Sequence, residues 1–210
     1  MTTVLTLEPW WPGHGVTKKL FKRKVCVAAT VVEVTNGRDS IDGGLQELVD
    51  ALAANQDDEV IVFGYSRGAQ IIGRWLARYA DAPDAPDPDR VTFLCCGNPE
   101  RKYGGVPWMV KDRTRNDSRF RVTDVKLQYD SWSDWPAQTA GIAGMMARST
   151  LLGVTVHLLG YLGANFDDPG RKTYTENTTT YVMIPHDIPL PWRWARTSIE
   201  AAYDRPEKSG

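Results

Sequence analysis

The chain has 210 residues, 25 Lys+Arg against 26 Asp+Glu for a net charge of −1, and 42% hydrophobic residues. That is enough apolar material for one α/β domain over residues 1–210, and the near-neutral balance excludes general affinity for nucleic acid. No apolar run reaches bilayer-crossing length, and Met1–Leu7 lacks the basic and apolar regions of a signal peptide, so a soluble chain made in the cytoplasm is expected.

In chain order, residues 3–7 are predicted to form the first strand, followed by the loop Glu8-Pro9-Trp10-Trp11-Pro12-Gly13-His14-Gly15. The run Lys18-Lys19-Leu20-Phe21-Lys22-Arg23-Lys24 reads as a solvated helix face, with contact to an anionic envelope surface as its alternative. Residues 25–34 contain a second strand. Residues 41–54 form a helix with Ile41, Leu45, Leu48, Val49 and Leu52 inward. Glu59-Val60-Ile61-Val62-Phe63 is a short β-branched strand, and 67–80 is a helix with Ile71, Ile72, Trp75, Leu76 and Tyr79 on one face.

Residues 82–89 carry Pro83, Pro86 and Pro88 and form a linker. Val91–Cys96 is the next strand, with Cys95 and Cys96 on opposite faces. Together with Cys26 they lack metal-ligand spacing and read as free buried thiols. Residues 101–121 read as a polar surface excursion, 125–129 as a strand near an edge, 139–163 as interrupted apolar helix and 174–184 as β-rich. A last helix is expected near Trp192. Strands alternating with helices predict an α/β fold with a mainly parallel sheet covered on both faces.

Between the strand at 59–63 and its helix stands Gly64-Tyr65-Ser66-Arg67-Gly68, a G-x-S-x-G stretch in the strand–turn–helix context of a nucleophile elbow. The plain alternative is a glycine-rich turn with an ordinary serine. In the elbow reading Ser66 is a nucleophile and the Arg67 backbone N–H, at a helix N-terminus, faces an oxyanion. Gly13, in the glycine-rich loop after the first strand, is the candidate second donor.

A serine hydroxyl needs a base for its proton and a carboxylate to orient that base. The histidines are His14, His157 and His186. In α/β hydrolases the acid and then the histidine follow the serine, which excludes His14. His157, in the apolar stretch 151–161, is the preferred base, although such a residue is also an ordinary core histidine. His186, in Ile184-Pro185-His186-Asp187, is held in reserve. Asp134 ranks ahead of Asp130 as the acid because it lies a few residues past the predicted strand with Pro136 soon after; Asp130 would then cap the turn.

These segments resemble the cutinase-like serine esterases of mycobacteria and their phages, the PE-PPE domain and Lysin B group. Gly64–Ala69 is similar to the family's G-Y-S-Q-G-A elbow, and Cys96-Gly97-Asn98-Pro99 to a G-N-P segment. Gln128–Pro136 is similar to the stretch that supplies the acid, and Val156–Tyr161 to the one that provides the histidine. The residues from Thr178 to Pro191 resemble the PE-PPE end. The resemblance implies an α/β-hydrolase fold and hydrolysis of lipid or acyl esters, with no metal or cofactor. Mycolyl esters of a cell envelope are the narrower expectation. Arg67 stands where the family often has glutamine, and the N-terminal loop lacks a G-T-G-like run. The competing reading is a catalytically silent hydrolase-like module, for example in a phage particle.

Overall fold

The computed structural model describes residues 1–10, 14–34, 40–106, 113–134 and 151–186. A seven-stranded sheet runs in the order β2-β1-β3-β4-β5-β7-β6. Its strands are β1 Thr2–Leu7, β2 Thr30–Val34, β3 Glu59–Tyr65, β4 Val91–Cys96, β5 Arg121–Leu127, β6 Lys172–Glu176 and β7 Thr179–Ile184. All neighbours pair in parallel except β6 with β7, which are antiparallel. The chain passes from β1 to β2 on one side and returns to β3 on the other. The crevice between the C-terminal ends of β1 and β3 is therefore a switch point, where open α/β sheets place their ligands.

Each face of the sheet carries its own core, which follows from strand period two. Val62 and Cys95 belong to one cluster with Leu5, Leu7 and the helices α1 Ile41–Ala54 and α2 Arg67–Tyr79. Phe63 and Cys96 belong to the other, with Val4, Phe21 and Tyr161. Cys26, Cys95 and Cys96 are free and buried, as expected. In α1, Leu45, Leu48 and Leu52 recur at helical spacing and are all buried, each adding about 1.5–3 kcal/mol. Ser40 caps that helix, its hydroxyl accepting from Gly43 N–H at 2.9 Å.

Three expectations are corrected. β5 begins at Arg121 and lies between β4 and β7, so it is interior and not near an edge. Its polar residues suggested a wet face because their partners are distant in sequence: Asp124 pairs with Arg101 at 3.3 Å, and Lys126 with Asp134 at 3.0 Å. Arg101, in the supposed surface excursion, is fully buried. Its guanidinium donates to Tyr103 O, Asp124 O and Val182 O and lies 5.0 Å from the Tyr181 ring centroid.

The basic run is also no regular helix. Thr17–Cys26 is 3₁₀-like, with Phe21, Lys22 and Arg23 in the left-handed region at φ 52°, 55° and 66°. This break turns the Phe21 ring inward against Phe63, Tyr161 and Phe166 and leaves Lys22 and Arg23 in solvent. The expected helix near Trp192 lies outside the described residues, as does the 139–150 part of the predicted apolar helix. Among the described residues no helix is long and apolar enough to cross a membrane.

Candidate active site

Ser66 sits between β3 and α2 with φ 55° and ψ −110°, a conformation L-residues rarely adopt. Its neighbours have no room for larger side chains. A Cβ at Gly64 would lie 2.5 Å from Gly68 O, and one at Gly68 would lie 2.3 Å from Leu7 O at the end of β1. The two glycines let strand, helix and the adjoining strand close around the serine. Ser66 N–H donates to Cys96 O at 2.8 Å, while its carbonyl accepts from Ala69 and Gln70 N–H to open the helix.

A hydrogen-bonded chain leads away from the serine. Ser66 Oγ is 3.0 Å from His157 Nε2, and His157 Nδ1 is 2.8 Å from Asp130 Oδ1. His157 lies in a π-helical turn, Val156–Gly160, between the short helices α3 Leu151–Thr155 and α4 Tyr161–Gly163. Such single π turns concentrate at functional sites. The imidazole is buried between the Tyr65 and Trp132 rings, at centroid distances of 5.4 and 4.6 Å. Tyr65 O–H donates to the His157 carbonyl, which fixes the turn from beneath. Gly97 (φ +55°) leaves the ring its space, since a Cβ there would meet His157 Cε1 at 3.0 Å.

The carboxylate at His157 is therefore that of Asp130, and not that of Asp134 as expected. Asp130 is completely buried. Burial alone would raise its pKa, but His157 charge and hydrogen bonds from His157, Ser133 and Trp132 N–H outweigh it and hold the carboxyl below its usual range. Asp134 does what was expected of Asp130. It accepts from Tyr129 N–H at 2.7 Å, pairs with Lys126, and closes the turn in which Tyr129 has φ 72°. β5 ends at Leu127, two residues earlier than expected, so Asp130 is the residue left near the strand end and Asp134 lies a turn beyond.

His186 stands on the other side of the π turn, where a Cβ on Gly160 would lie 3.1 Å from its Nε2. It lines a cavity of about 600 Å³ with Val156, Leu159, Asn165 and Ile184, which Ser66 does not line. The Arg67 amide is in the first turn of α2. Its guanidinium donates to Ser40 O at 2.8 Å, tying the start of α2 to that of α1. Gly13 lies outside the described residues. Glu8 at the end of β1 is buried and accepts from Val16 N–H, Thr17 N–H and the Thr17 hydroxyl, which anchors the far end of that loop. Among the described residues no group of three or more His, Cys, Asp or Glu side chains is placed to hold a metal ion.

Residues 23–193 match the family described as the PE-PPE domain. The chain belongs to the PE-PPE domain family. The resemblance read from the elbow and the later segments is thus borne out at the level of the family. Among curated relatives, the domain is 23% identical over 203 residues to diacyltrehalose acyltransferase Chp2 of Mycobacterium tuberculosis, covering 86% of this chain and 54% of that protein. It is 25% identical over 162 residues to esterase PE16 of the same organism, covering 68% of this chain and 30% of that one. The PE-PPE chain thus spans about half or less of the length of these relatives. An acetyl xylan esterase structure overlays with a TM-score of 0.43 at 14% identity, covering 75% of this chain and 98% of that one.

Ser133 and Tyr161 were not singled out from the sequence. Both hydroxyls donate to Asp130 Oδ2 at 2.7 Å. The available signals were local spacings: Ser133 is three residues after Asp130, as in a polar turn, and Tyr161 is four residues after His157 on the same helical side.

Proposed function

We propose that this PE-PPE domain is a serine hydrolase of lipid or acyl esters, working through Ser66, His157 and Asp130. The observation that carries the reading is the continuous chain from Ser66 Oγ through both ring nitrogens of His157 to the Asp130 carboxylate. His157 Nε2 takes the hydroxyl proton as Oγ attacks the ester carbonyl. Asp130 holds Nδ1–H, selects the tautomer and stabilises the imidazolium that forms. The tetrahedral oxyanion is met by the Arg67 N–H at the head of α2, with Gly13 as the proposed second donor. His157 then returns its proton to the leaving alcohol, and water enters by the same route to release the acid from Ser66.

Ester chemistry is supported by membership of a family whose relatives include a named esterase and a named acyltransferase. Trp132 beside His157 provides apolar surface for an acyl chain next to the reacting atoms. An ester of the mycobacterial envelope, mycolyl esters included, is the substrate class this reading favours. The test is labelling of Ser66 by a fluorophosphonate, together with hydrolysis of short p-nitrophenyl esters. Labelling and turnover that both vanish in Ser66→Ala support the reading; an unlabelled wild type would assign the domain to binding rather than catalysis.

The acyltransferase relative favours a second outcome for the same acyl-enzyme, transfer to a sugar hydroxyl in place of water. Adding trehalose during p-nitrophenyl ester turnover separates the two. An acylated sugar among the products indicates transfer, and free acid alone indicates hydrolysis.

A further inference from the structure

The Asp130 carboxylate is saturated. Oδ1 accepts from His157 Nδ1–H at 2.8 Å and Trp132 N–H at 2.9 Å, and Oδ2 accepts from Ser133 Oγ and Tyr161 O–H at 2.7 Å each. The polarity of the Tyr161 bond is fixed from outside. Its oxygen also receives Leu127 N–H at 3.1 Å, and an amide can only donate. The one phenolic proton is therefore sent to Asp130. Ser133 spends its own proton on the same oxygen, so the 3.2 Å approach between the two hydroxyls holds no separate bond to either.

Tyr161 is fully buried and held on three sides, by Phe21 from the Thr17–Cys26 segment, Tyr65 from β3 and the edge of His157. Its donor is thus preorganised, reaching Asp130 from α4, the helix that directly continues the π turn of His157. Two neutral donors on Oδ2 leave Oδ1 as the oxygen turned to the imidazole.

Building on the Ser66–His157–Asp130 reading, we propose that Tyr161 is its positioning residue: the phenol clamps Oδ2 of Asp130, presents Oδ1 to His157, and moderates how strongly the carboxylate draws the imidazolium proton. Hydrogen bonds to a charged acceptor are the strong ones, and a carboxylate that shares its charge among four donors is a weaker base toward any one of them. Removing the clamp would strengthen the hold of Oδ1 on the imidazolium proton, a change that the acid limb of the rate–pH profile reads.

The other groups around Asp130 and His157 do not titrate in place of this couple. Tyr65 from β3 is pushed well up by burial first and by Asp130 second, and Cys96 from β4 by burial first and then by Cys95 and Asp124, so both stay neutral. Tyr161 is likewise pushed up by burial and by Asp130, which preserves it as a donor. Lys126 of β5 and Asp134 of the turn are paired with each other. Phe21 brings no charge.

The experiment is the pH dependence of kcat/KM for a p-nitrophenyl ester, measured on the full chain as wild type, Tyr161→Phe and Ser133→Ala. Tyr161→Phe is expected to move the acid limb to higher pH and to lower kcat by about 10- to 100-fold, as for other partners that orient a functional histidine, with KM little changed. Ser133→Ala should move the limb the same way by less. Replacing Tyr161 with 3-fluorotyrosine keeps the shape and strengthens the donor, so the limb should move to lower pH. This third protein keeps the proposal testable where Tyr161→Phe does not fold. A loss of kcat with an unmoved limb would mean that Tyr161 is structural and overturns the proposal. An active wild type whose limb none of the changes moves overturns it as well, leaving the hydrolase reading intact. An inert wild type that takes no fluorophosphonate overturns both.

Discussion

Ser66 and Asp130 both lie just beyond the C-terminal ends of strands in one sheet, yet they are held by opposite means. The elbow is held by backbone. Gly64 and Gly68 bring β3, α2 and β1 so close that a single added carbon would overlap a carbonyl, and the serine sits in a left-handed twist between them. The acid is held by side chains. Its carboxylate collects donors from its own turn, the π turn and α4, while Asp134 and Lys126 brace the turn below. A backbone-held group tolerates no change of size nearby. One held by side chains depends instead on a set of distant hydroxyls and rings. In that respect the two aspartates of one turn are not interchangeable: Asp130 serves the histidine and Asp134 serves the fold.

The contrast can be broken most directly at the serine. Ser66→Ala should lower kcat on the order of 10⁶-fold and abolish fluorophosphonate labelling while the far-UV spectrum is unchanged. Residual hydrolysis at the wild-type rate would remove the elbow from the chemistry. Next comes the acid. Asp130→Asn should cost about 10⁴-fold in kcat, since the histidine loses its tautomer partner, and Asp134→Asn should leave kcat within a few-fold. The reverse ranking would show that Asp134 is the partner after all.

Stability should sort the same pair in the other sense. Asp134→Asn removes the carboxylate charge that the buried Lys126 ammonium meets at 3.0 Å, and about 3 kcal/mol is expected, read as a fall in Tm of roughly 10 °C. Gly68→Ala should cost about 1–3 kcal/mol, because the new carbon would lie 2.3 Å from a backbone oxygen that cannot swing aside. A Tm equal to wild type in that variant would mean that the elbow can open. The smallest effect concerns acid. Asp130 is held below its ordinary 3.8 in the folded chain, so there it binds fewer protons than in the unfolded chain. Its stabilising contribution is complete above about pH 4 and is lost as pH falls through the lowered value. Melting curves should therefore show wild type losing more stability than Asp130→Asn on acidification below pH 4. Parallel curves would count against an ionised Asp130.

Much of the fold was legible because its signals are local. The helices at Ile41–Ala54 and Arg67–Tyr79 follow from apolar spacing, and the strand–glycine–serine–glycine–helix order announces an elbow without knowledge of any other segment. β5 was misread because Lys126 looks solvent-facing until Asp134 is brought against it. The choice of Asp134 failed for a related reason. A shift of two residues in a strand end changes which aspartate reaches across the sheet, and strand ends are the least local part of the pattern.

By itself, then, the sequence determined the alternating α/β order, the glycines around Ser66, and a family membership that the comparison with known proteins bears out. Each rests on residues within a few positions of one another, where backbone sterics and apolar periodicity act directly. Only the tertiary structure decided that His157 faces Ser66 across 91 residues, that Asp130 and not Asp134 stands behind it, and that Tyr161 stands behind both. Those choices depend on where the π turn crosses the sheet and on the donors that saturate one buried carboxylate, and neither is recorded in the spacing of a single chain.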